Sequence, residues 1–185
     1  MATSVITATE YKYPLGRTND QRFEHRYGSI VFSNANYFQG GIAFPSTGVN
    51  LSNPVPVAMD VYSVAGGGAL AAGLYQYVWT VADLWPQNTA VAIGWSITDS
   101  NGNLQTCTTN GTTNNTAEPT WNTASAGTTS DGTAVWTNQG KSYGCVRIFT
   151  GAAAQTALTE STSGSAVPAN VRTDKIEFHA RYLRG

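Results

Sequence analysis

The sequence predicts an all-β protein with a β-sandwich or jelly-roll-like core, an extended N-terminal arm and an inserted β subdomain. Two observations indicate this class. Short β-type segments alternate with turn signals along most of the chain, and no long window shows helical periodicity with caps. Only 11% of the 185 residues are charged. Exposed helices usually carry Glu, Lys and Arg, so a surface rich in Thr, Asn, Ser and Gly favours strands and loops.

The first segment, residues 1–28, differs chemically from the rest of the chain. Seven charged residues lie between Glu10 and Arg26, and strand signals begin only near Ser29. We interpret this segment as an arm laid over neighbouring subunits, or alternatively as a first strand and loop. The arginines of an arm would meet carboxylates on another subunit. The predicted contact residues are Tyr13, Arg17, Arg22 and Arg26.

Residues 29–107 together with 141–185 are predicted to form the sandwich core. Their β-type segments alternate, or nearly alternate, between apolar and polar side chains. In chain order these segments are 28–33, 55–62, 74–81, 91–98, 142–149 and 175–183. Asn101-Gly102, set between two such runs, is the strongest signal for a β-hairpin.

Residues 108–140 are predicted to form an inserted loop or β-hairpin module. This stretch is rich in Thr, Asn, Ser and Gly, and its repeated Asn-Gly, Asp-Gly and Gln-Gly pairs indicate frequent turns. The remaining helix candidates, 80–84 and 151–158, are long enough for little more than a single turn.

Catalytic motifs are missing from the sequence. The histidines, His25 and His179, each lie among charged neighbours in an alternating pattern, which favours structural roles. The glycine run at 65–73 superficially fits a dinucleotide loop, but no amphipathic helix follows it, so a left-handed glycine turn is the better interpretation. We therefore expect no enzymatic activity, no cofactor and no metal site.

Charge and hydropathy also limit the partners. A net charge of −1 and a pI near 6.1 give no basic surface for nucleic acid or for an anionic membrane. No apolar run reaches membrane-spanning length, and the first residues lack a leader pattern. We therefore expect neither nucleic acid nor a membrane as partner. The missing leader pattern also favours free, half-buried thiols at Cys107 and Cys145 over a disulfide.

The five tryptophans are the most informative side chains. Large rigid rings are used in cores, at subunit interfaces and as stacking surfaces for sugars. Trp79 and Trp95 lie within predicted strands and are interpreted as core residues. Trp121 and Trp136 lie in the insert and are the candidates for a surface aromatic contact, with burial in a core as the alternative.

Two stretches resemble bacteriophage head decoration proteins, which are also called cement proteins. The first is YPLGRTNDQRFEHRYGSI at 13–30, followed by GGIAF at 40–44. The second runs from GAAA at 151–154 to IEFHAR at 176–181. Together they cover about a third of the chain. Separately, Pro119-Thr-Trp, Gly127-Thr-Thr, Asp131-Gly-Thr and Val135-Trp resemble a module that recurs in phage tail, fibre and other virion proteins.

The resemblance implies a virion protein made in the bacterial cytoplasm and located on the exterior of the phage head. Its expected partner is the major capsid protein, which it would stabilise by bridging capsid subunits. A homo-oligomer, with a trimer as one candidate, would suit a symmetric lattice. The alternative is a tail or fibre component that binds host glycan through its aromatic side chains.

Overall fold

The computed structural model describes residues 6–11, 23–38, 40–44, 56–64, 74–151, 159–161 and 164–183. These form several β-sheets and one short helix, so the predicted all-β class is confirmed. The strands are β1 (Ile6–Glu10), β2 (Phe23–Phe32), β3 (Ile42–Ala43), β4 (Ala58–Ser63), β5 (Leu74–Thr80), β6 (Asp83–Leu84), β7 (Ala90–Val91), β8 (Ser96–Thr98), β9 (Asn103–Thr109), β10 (Gly111–Thr112), β11 (Thr128–Asp131), β12 (Ala134–Lys141), β13 (Cys145–Gly151), β14 (Thr159–Glu160) and β15 (Ile176–Leu183). The helix is α1 (Ala169–Thr173).

Two antiparallel sheets form what we call the sandwich unit, the described residues of 6–80 and 145–183. The first sheet has the order β1-β2-β15-β4. In the second, β13 lies between β5 on one side and β3 and β14 on the other. Alternate residues of β2 and β15 are buried, as period-two strands require. The inward faces of both sheets share one core, which includes Ile30, Phe32, Phe44, Val61, Tyr77, Val146, Ile148, Ile176, Phe178 and Tyr182.

Residues 83–141 form a second unit, which we call the tryptophan unit. Its main sheet has the order β11-β12-β9-β8-β6, where β6 and β8 are parallel and the other pairs antiparallel. The short strands β7 and β10 pair beside it. This unit has a core of its own, formed by Val91, Ile97, Cys107, Trp121, Ala134 and Trp136, with Trp85 and Trp95 packed against it.

The two units meet along a joint that is partly apolar and partly charged. Ala82, Leu104 and Cys145 form a small buried cluster there. Arg147 of β13 donates from Nη2 to Asp83 Oδ1 at 2.5 Å, and its Nη1 lies 3.6 Å from Glu160 Oε2. The joint therefore has a side-chain link between the two cores in addition to the covalent chain.

The Asn101-Gly102 hairpin is confirmed. β8 and β9 pair antiparallel across it, and Gly102 has a φ of 77°, a conformation that costs glycine little. The buried Asp99 carboxylate accepts from the N–H groups of Asn101 and Asn103 at 2.8 and 2.9 Å. The turn is thus held by a side chain as well as by its backbone.

The predicted boundaries of the insert, 108–140, are wrong. The sheet that contains β12 also contains β9, β8 and β6, so this unit begins at Asp83 and includes the hairpin that was assigned to the core. The predicted strand at 91–98 is also wrong in its middle. It is broken between β7 and β8, where Gly94 has a φ of 89° and packs on the Phe38 ring.

The described parts of the N-terminal segment form strands of the first sheet and not an arm separate from it. β1 pairs with β2, and β2 begins at Phe23, six residues before the predicted start of strand signals at Ser29. The described parts of residues 1–28 therefore support the first-strand interpretation. Residues 80–84 belong to β5, β6 and their connection, not to a helix. The other helix candidate and the glycine run at 65–73 lie outside the described residues, apart from Gly151 at the end of β13.

Candidate functional site

Of the four predicted contact residues of the arm, the structure describes only Arg26. Tyr13, Arg17 and Arg22 lie outside the described residues. Arg26 is 8% exposed and donates from Nε and Nη2 to Glu24 Oε1 at 2.9 and 2.6 Å. Its guanidinium also lies 5.5 Å from the centroid of the Tyr182 ring. Arg26 is therefore part of the folded sandwich unit, and its assignment as a contact on another subunit is corrected.

The two candidate surface tryptophans are buried. Trp136 is 0% exposed and Trp121 5%, and their rings pack edge to face with centroids 6.1 Å apart. The N–H of Trp136 donates to Asp131 Oδ2 at 3.0 Å, and that of Trp121 to Glu118 Oε1 at 2.5 Å. Neither ring has a face free for a sugar or a partner, so the surface-contact prediction is corrected. The glycan-binding alternative loses the two rings on which it depended.

Trp79 and Trp95, the predicted core tryptophans, pack half-buried against the two different cores. Both cysteines are free, as predicted, but they are fully buried and not half-buried. Burial raises the pKa of Cys107 to about 11 and that of Cys145 to about 12. At neutral pH they are thiols, not thiolates, and behave as small apolar core residues.

Among the described residues, histidine, tyrosine and carboxylate side chains gather on the side of the first sheet that faces away from the core, which we call the outer face. Even-numbered residues of β2 and β15 point into the core, so the odd-numbered ones point away from it. The outer face comprises Thr7, Thr9, His25, Tyr27, Ser29, Val31, Asp60, Tyr62, Glu177, His179 and Arg181. Two large side chains of the outer face, Val31 and Tyr62, are 54% and 43% exposed.

A histidine pair lies near the centre of the outer face. His25 Nδ1 and His179 Nε2 are 2.9 Å apart, so one ring donates to the other. The Tyr27 ring stacks on His179 with a centroid distance of 4.3 Å. Partial burial, followed by the proximity of His25, lowers the pKa of His179, while Asp60 Oδ2 at 3.9 Å opposes the shift. Both effects of the folded environment, burial and the neighbouring ring, therefore favour the neutral form of His179.

Tyrosine and carboxylate groups surround the histidine pair. The Tyr11 hydroxyl donates to Glu177 Oε1 at 3.2 Å, spanning the width of β2. Lys175 Nζ lies 4.0 Å from the same carboxylate oxygen. Tyrosines beside exposed apolar residues, with balanced charge, are typical of surfaces that pack against other proteins. The sequence marks the two histidines but not the face, because paired residues of β2 and β15 are up to 160 positions apart in the chain.

A cleft of about 470 Å³ lies between the two units. Phe38, Gly41 and Ile42 line it on one side, and Ser96 and Thr106 on the other. Its volume suits a small molecule. However, Ser96 Oγ and Thr106 Oγ1 are 3.1 Å apart and bond to each other, so they do not converge on the cleft. The outer face is the better candidate site.

Within the described residues, no cluster of His, Cys, Asp and Glu is arranged to hold a metal ion. No helix in the same part of the chain is long and apolar enough to cross a membrane. A scan against protein-family models matches no family, and searches of curated proteins and of solved structures find no significant match.

Proposed function

We propose that the protein is a non-enzymatic virion component, a capsid decoration protein that binds the assembled phage head and bridges capsid subunits. The observation that carries this proposal is the strand order of the sandwich unit. In one sheet β15 lies between β2 and β4, and in the other β13 lies between β3 and β5. With β1 and β14 set aside, the pairing of β2 with β15 lies in one sheet and the pairing of β3 with β13 in the other, as expected for a jelly roll, and this supports the proposal.

The jelly-roll assignment accounts for the position of the tryptophan unit. A complete jelly roll has one further pair of strands between the equivalents of β5 and β13. Here the chain between those strands forms the tryptophan unit instead. Jelly rolls are the common fold of viral capsid and lectin domains. That distribution, and the resemblance of residues 13–30 and 176–181 to decoration proteins, support the virion setting.

The outer face provides a surface for such a role. Its tyrosines and exposed apolar residues suit contact with a protein shell and not with nucleic acid, for which a basic surface would be needed. A protein that binds the assembled lattice and not free subunits stabilises the lattice by mass action. The proposed partner is the major capsid protein, with Tyr13, Arg17 and Arg22 as further proposed contacts. We propose a homo-oligomeric state on the virion.

The test uses phage particles from which the gene has been deleted. Purified wild-type chain, Val31→Lys and Val81→Lys are added, and bound copies per particle and the temperature of DNA release are measured. Val31 lies on the outer face, whereas Val81, which is 64% exposed, lies at the joint. Neither change removes core packing. We expect wild type and Val81→Lys to bind many copies per head and raise the release temperature, and Val31→Lys to bind at least about tenfold more weakly, which corresponds to ~1.4 kcal/mol.

Three outcomes contradict the proposal. The first is wild-type protein that fails to bind such particles or to change their heat stability. The second is gold-labelled antibody that marks tails and not heads of intact virions. In the third, Val81→Lys loses binding while Val31→Lys does not, which would move the contact from the outer face to the joint.

A further inference from the structure

In the part of the chain that the structure describes, β4 is the outermost strand of the first sheet and has one edge without a partner strand. Among the described residues, β4 pairs only with β15. The N–H of Val64 donates to the Lys175 carbonyl at 2.8 Å, which fixes the alternation along the ladder. Because bonding to the neighbouring strand alternates along β4, the main-chain groups of Tyr62 and Asp60 also bond to β15. Met59, Val61 and Ser63 therefore point their N–H and C=O groups away from the sheet.

Among the described residues, β4 carries little of the usual protection against pairing beyond Pro56, which precedes it, and an out-of-register bond from the Val57 N–H to the Arg181 carbonyl. Natural edge strands are kept apart by lysines, prolines, bulges or a covering segment. β4 contains no lysine or proline, and its one charged residue is Asp60. Val57, Tyr62 and Val64, within and beside the strand, are 50%, 43% and 40% exposed. An edge of this composition is suited to pairing with another strand.

We propose that β4 pairs antiparallel with β4 of a second copy of this chain, about a two-fold axis through Val61. The outward main-chain groups of Val61 then bond to those of Val61 in the second copy, and those of Met59 bond to Ser63. The first sheet of each copy continues into the other. Both outer faces lie on the same side of the joined sheet.

The side chains select this register from the alternatives. Residues directly opposite in an antiparallel pair share a face of the sheet, so a two-fold axis must pass through one residue position. An axis at Asp60 places two carboxylates opposite each other, which is destabilising. An axis at Tyr62 places Asp60 opposite the apolar Val64. Only the axis at Val61 places Asp60 opposite Tyr62 of the second copy, where the phenol can donate to the carboxylate.

Asp60 is available for this contact. Its side chain is 68% exposed, and its Oδ2 lies 3.9 Å from Nδ1 of His179. Glu177, the β15 partner of Tyr62 in register, lies on the same face. The contact is self-complementary and closed, so it gives a dimer and not the trimer considered from the sequence. Because a strand-edge contact buries less than the ~1,000 Å² of a stable interface, the dimer should be dissociable and dependent on concentration.

The first experiment is sedimentation equilibrium of the full chain from micromolar to millimolar concentration. Wild type should show a reversible monomer–dimer equilibrium. Tyr62→Asp places like charges opposite each other twice, so we expect the dimer to weaken by at least about tenfold. Tyr62→Asn, which removes the same ring without adding charge, is the matched control and should weaken it less. Adding Asp60→Asn to Tyr62→Asp should restore association towards the Tyr62→Asn level.

The second experiment tests the register by disulfide cross-linking. The double variant Asp60→Cys, Tyr62→Cys should form a covalent dimer on mild oxidation, because these positions are close non-hydrogen-bonded pairs across the axis. The native thiols Cys107 and Cys145 are buried and serve as the silent background. Cross-linking by Asp60→Cys alone would move the axis to Asp60 and overturn the register. A monomeric wild type at every concentration, or a dimer equally strong in Tyr62→Asp and Tyr62→Asn, would overturn the proposal.

Discussion

The two units of this protein build their cores by different means. The sandwich unit buries a broad apolar set contributed by two facing sheets, with edge-to-face packing of Phe44 on Phe178 at 5.4 Å. The tryptophan unit has a much smaller core in which indole rings are fixed by carboxylates. Asp131 Oδ2 accepts from both Trp85 and Trp136, at 2.8 and 3.0 Å.

The difference shows how a small β-unit is specified when little apolar area is available. Burial stabilises in proportion to area and is tolerant of small changes in shape, whereas a buried carboxylate is favourable only when its hydrogen bonds are complete. Asp131 meets that condition because its other oxygen accepts from the Asn114 N–H at 2.8 Å. The sandwich core also holds two phenols on carboxylates, Tyr37 on Glu160 and Tyr77 on Asp174. Because its apolar set is much larger, it should nevertheless tolerate conservative changes at apolar positions better than the tryptophan unit tolerates loss of a carboxylate.

Removal of the Asp131 carboxylate should have the largest effect. Asp131→Ala leaves the buried N–H of Trp136 and two further donors without an acceptor, so we expect the tryptophan unit to lose about 3 kcal/mol or more. Hydrogen exchange followed by mass spectrometry reports each unit separately. Protection should fall across β9, β11 and β12 and persist in β2 and β15.

Asp131→Asn is the control for that experiment, since it retains one acceptor oxygen of nearly the same shape and should cost less than the alanine. If Asp131→Ala instead reduced protection equally in both units, the two units would unfold together. Their different cores would then not give them separate free energies of unfolding.

A smaller effect is expected at the joint. Arg147→Met removes the cation that connects Asp83 and Glu160, side chains that are 39% and 23% exposed. Solvent screening limits the loss to about 1 kcal/mol. We expect urea unfolding of Arg147→Met to show two transitions. Tryptophan fluorescence and far-ultraviolet circular dichroism would monitor them. Lys175→Met removes a cation that is 67% exposed near Glu177 and serves as the control, with a change within about 0.5 kcal/mol. A single unchanged transition in Arg147→Met would mean that other contacts couple the units.

The smallest effect concerns pH and is confined to the sandwich unit. The pKa of His179 is lowered in the folded protein, so the unfolded chain binds the proton more readily. The neutral ring therefore contributes stability that is complete above its ordinary pKa of 6.5 and declines as pH falls below it. Unfolding free energies measured from pH 8 to pH 5 should fall for wild type and fall less for His179→Gln. Parallel curves for the two proteins would show that titration of His179 does not contribute to the pH dependence of stability.

Local features of this fold could be predicted from the sequence, but the boundary between the two units could not. The Asn-Gly hairpin and the strand at residues 176–183 were predictable because turn chemistry and period-two alternation act between near neighbours. The extent of the tryptophan unit was not. It depends on Trp85 reaching a carboxylate 46 residues away, and no local pattern encodes that contact.

The candidate site shows the same limit. Charge and residue type marked His25 and His179, but their adjacency follows from β2 pairing with β15 across 154 positions. Arg26 was misassigned because a charged side chain in sequence looks exposed, whereas here it folds over Tyr182 beside Glu24. Trp121 and Trp136 were misassigned because a polar, turn-rich surrounding sequence conceals a core whose apolar members are widely spaced.

The pairing of Thr80 with Cys145 has a consequence for how this architecture can diversify. These residues stand opposite each other in neighbouring strands, so the chain leaves the sandwich unit and returns to it at a single place. A segment of almost any length can be accommodated there without rerouting the strands on either side. The tryptophan unit is thus an insertion between two paired strands of the sandwich unit. Exchange of residues 83–141 for another segment would leave the strand pairings of the sandwich unit unchanged, although the contact of Arg147 with Asp83 at the joint would be lost.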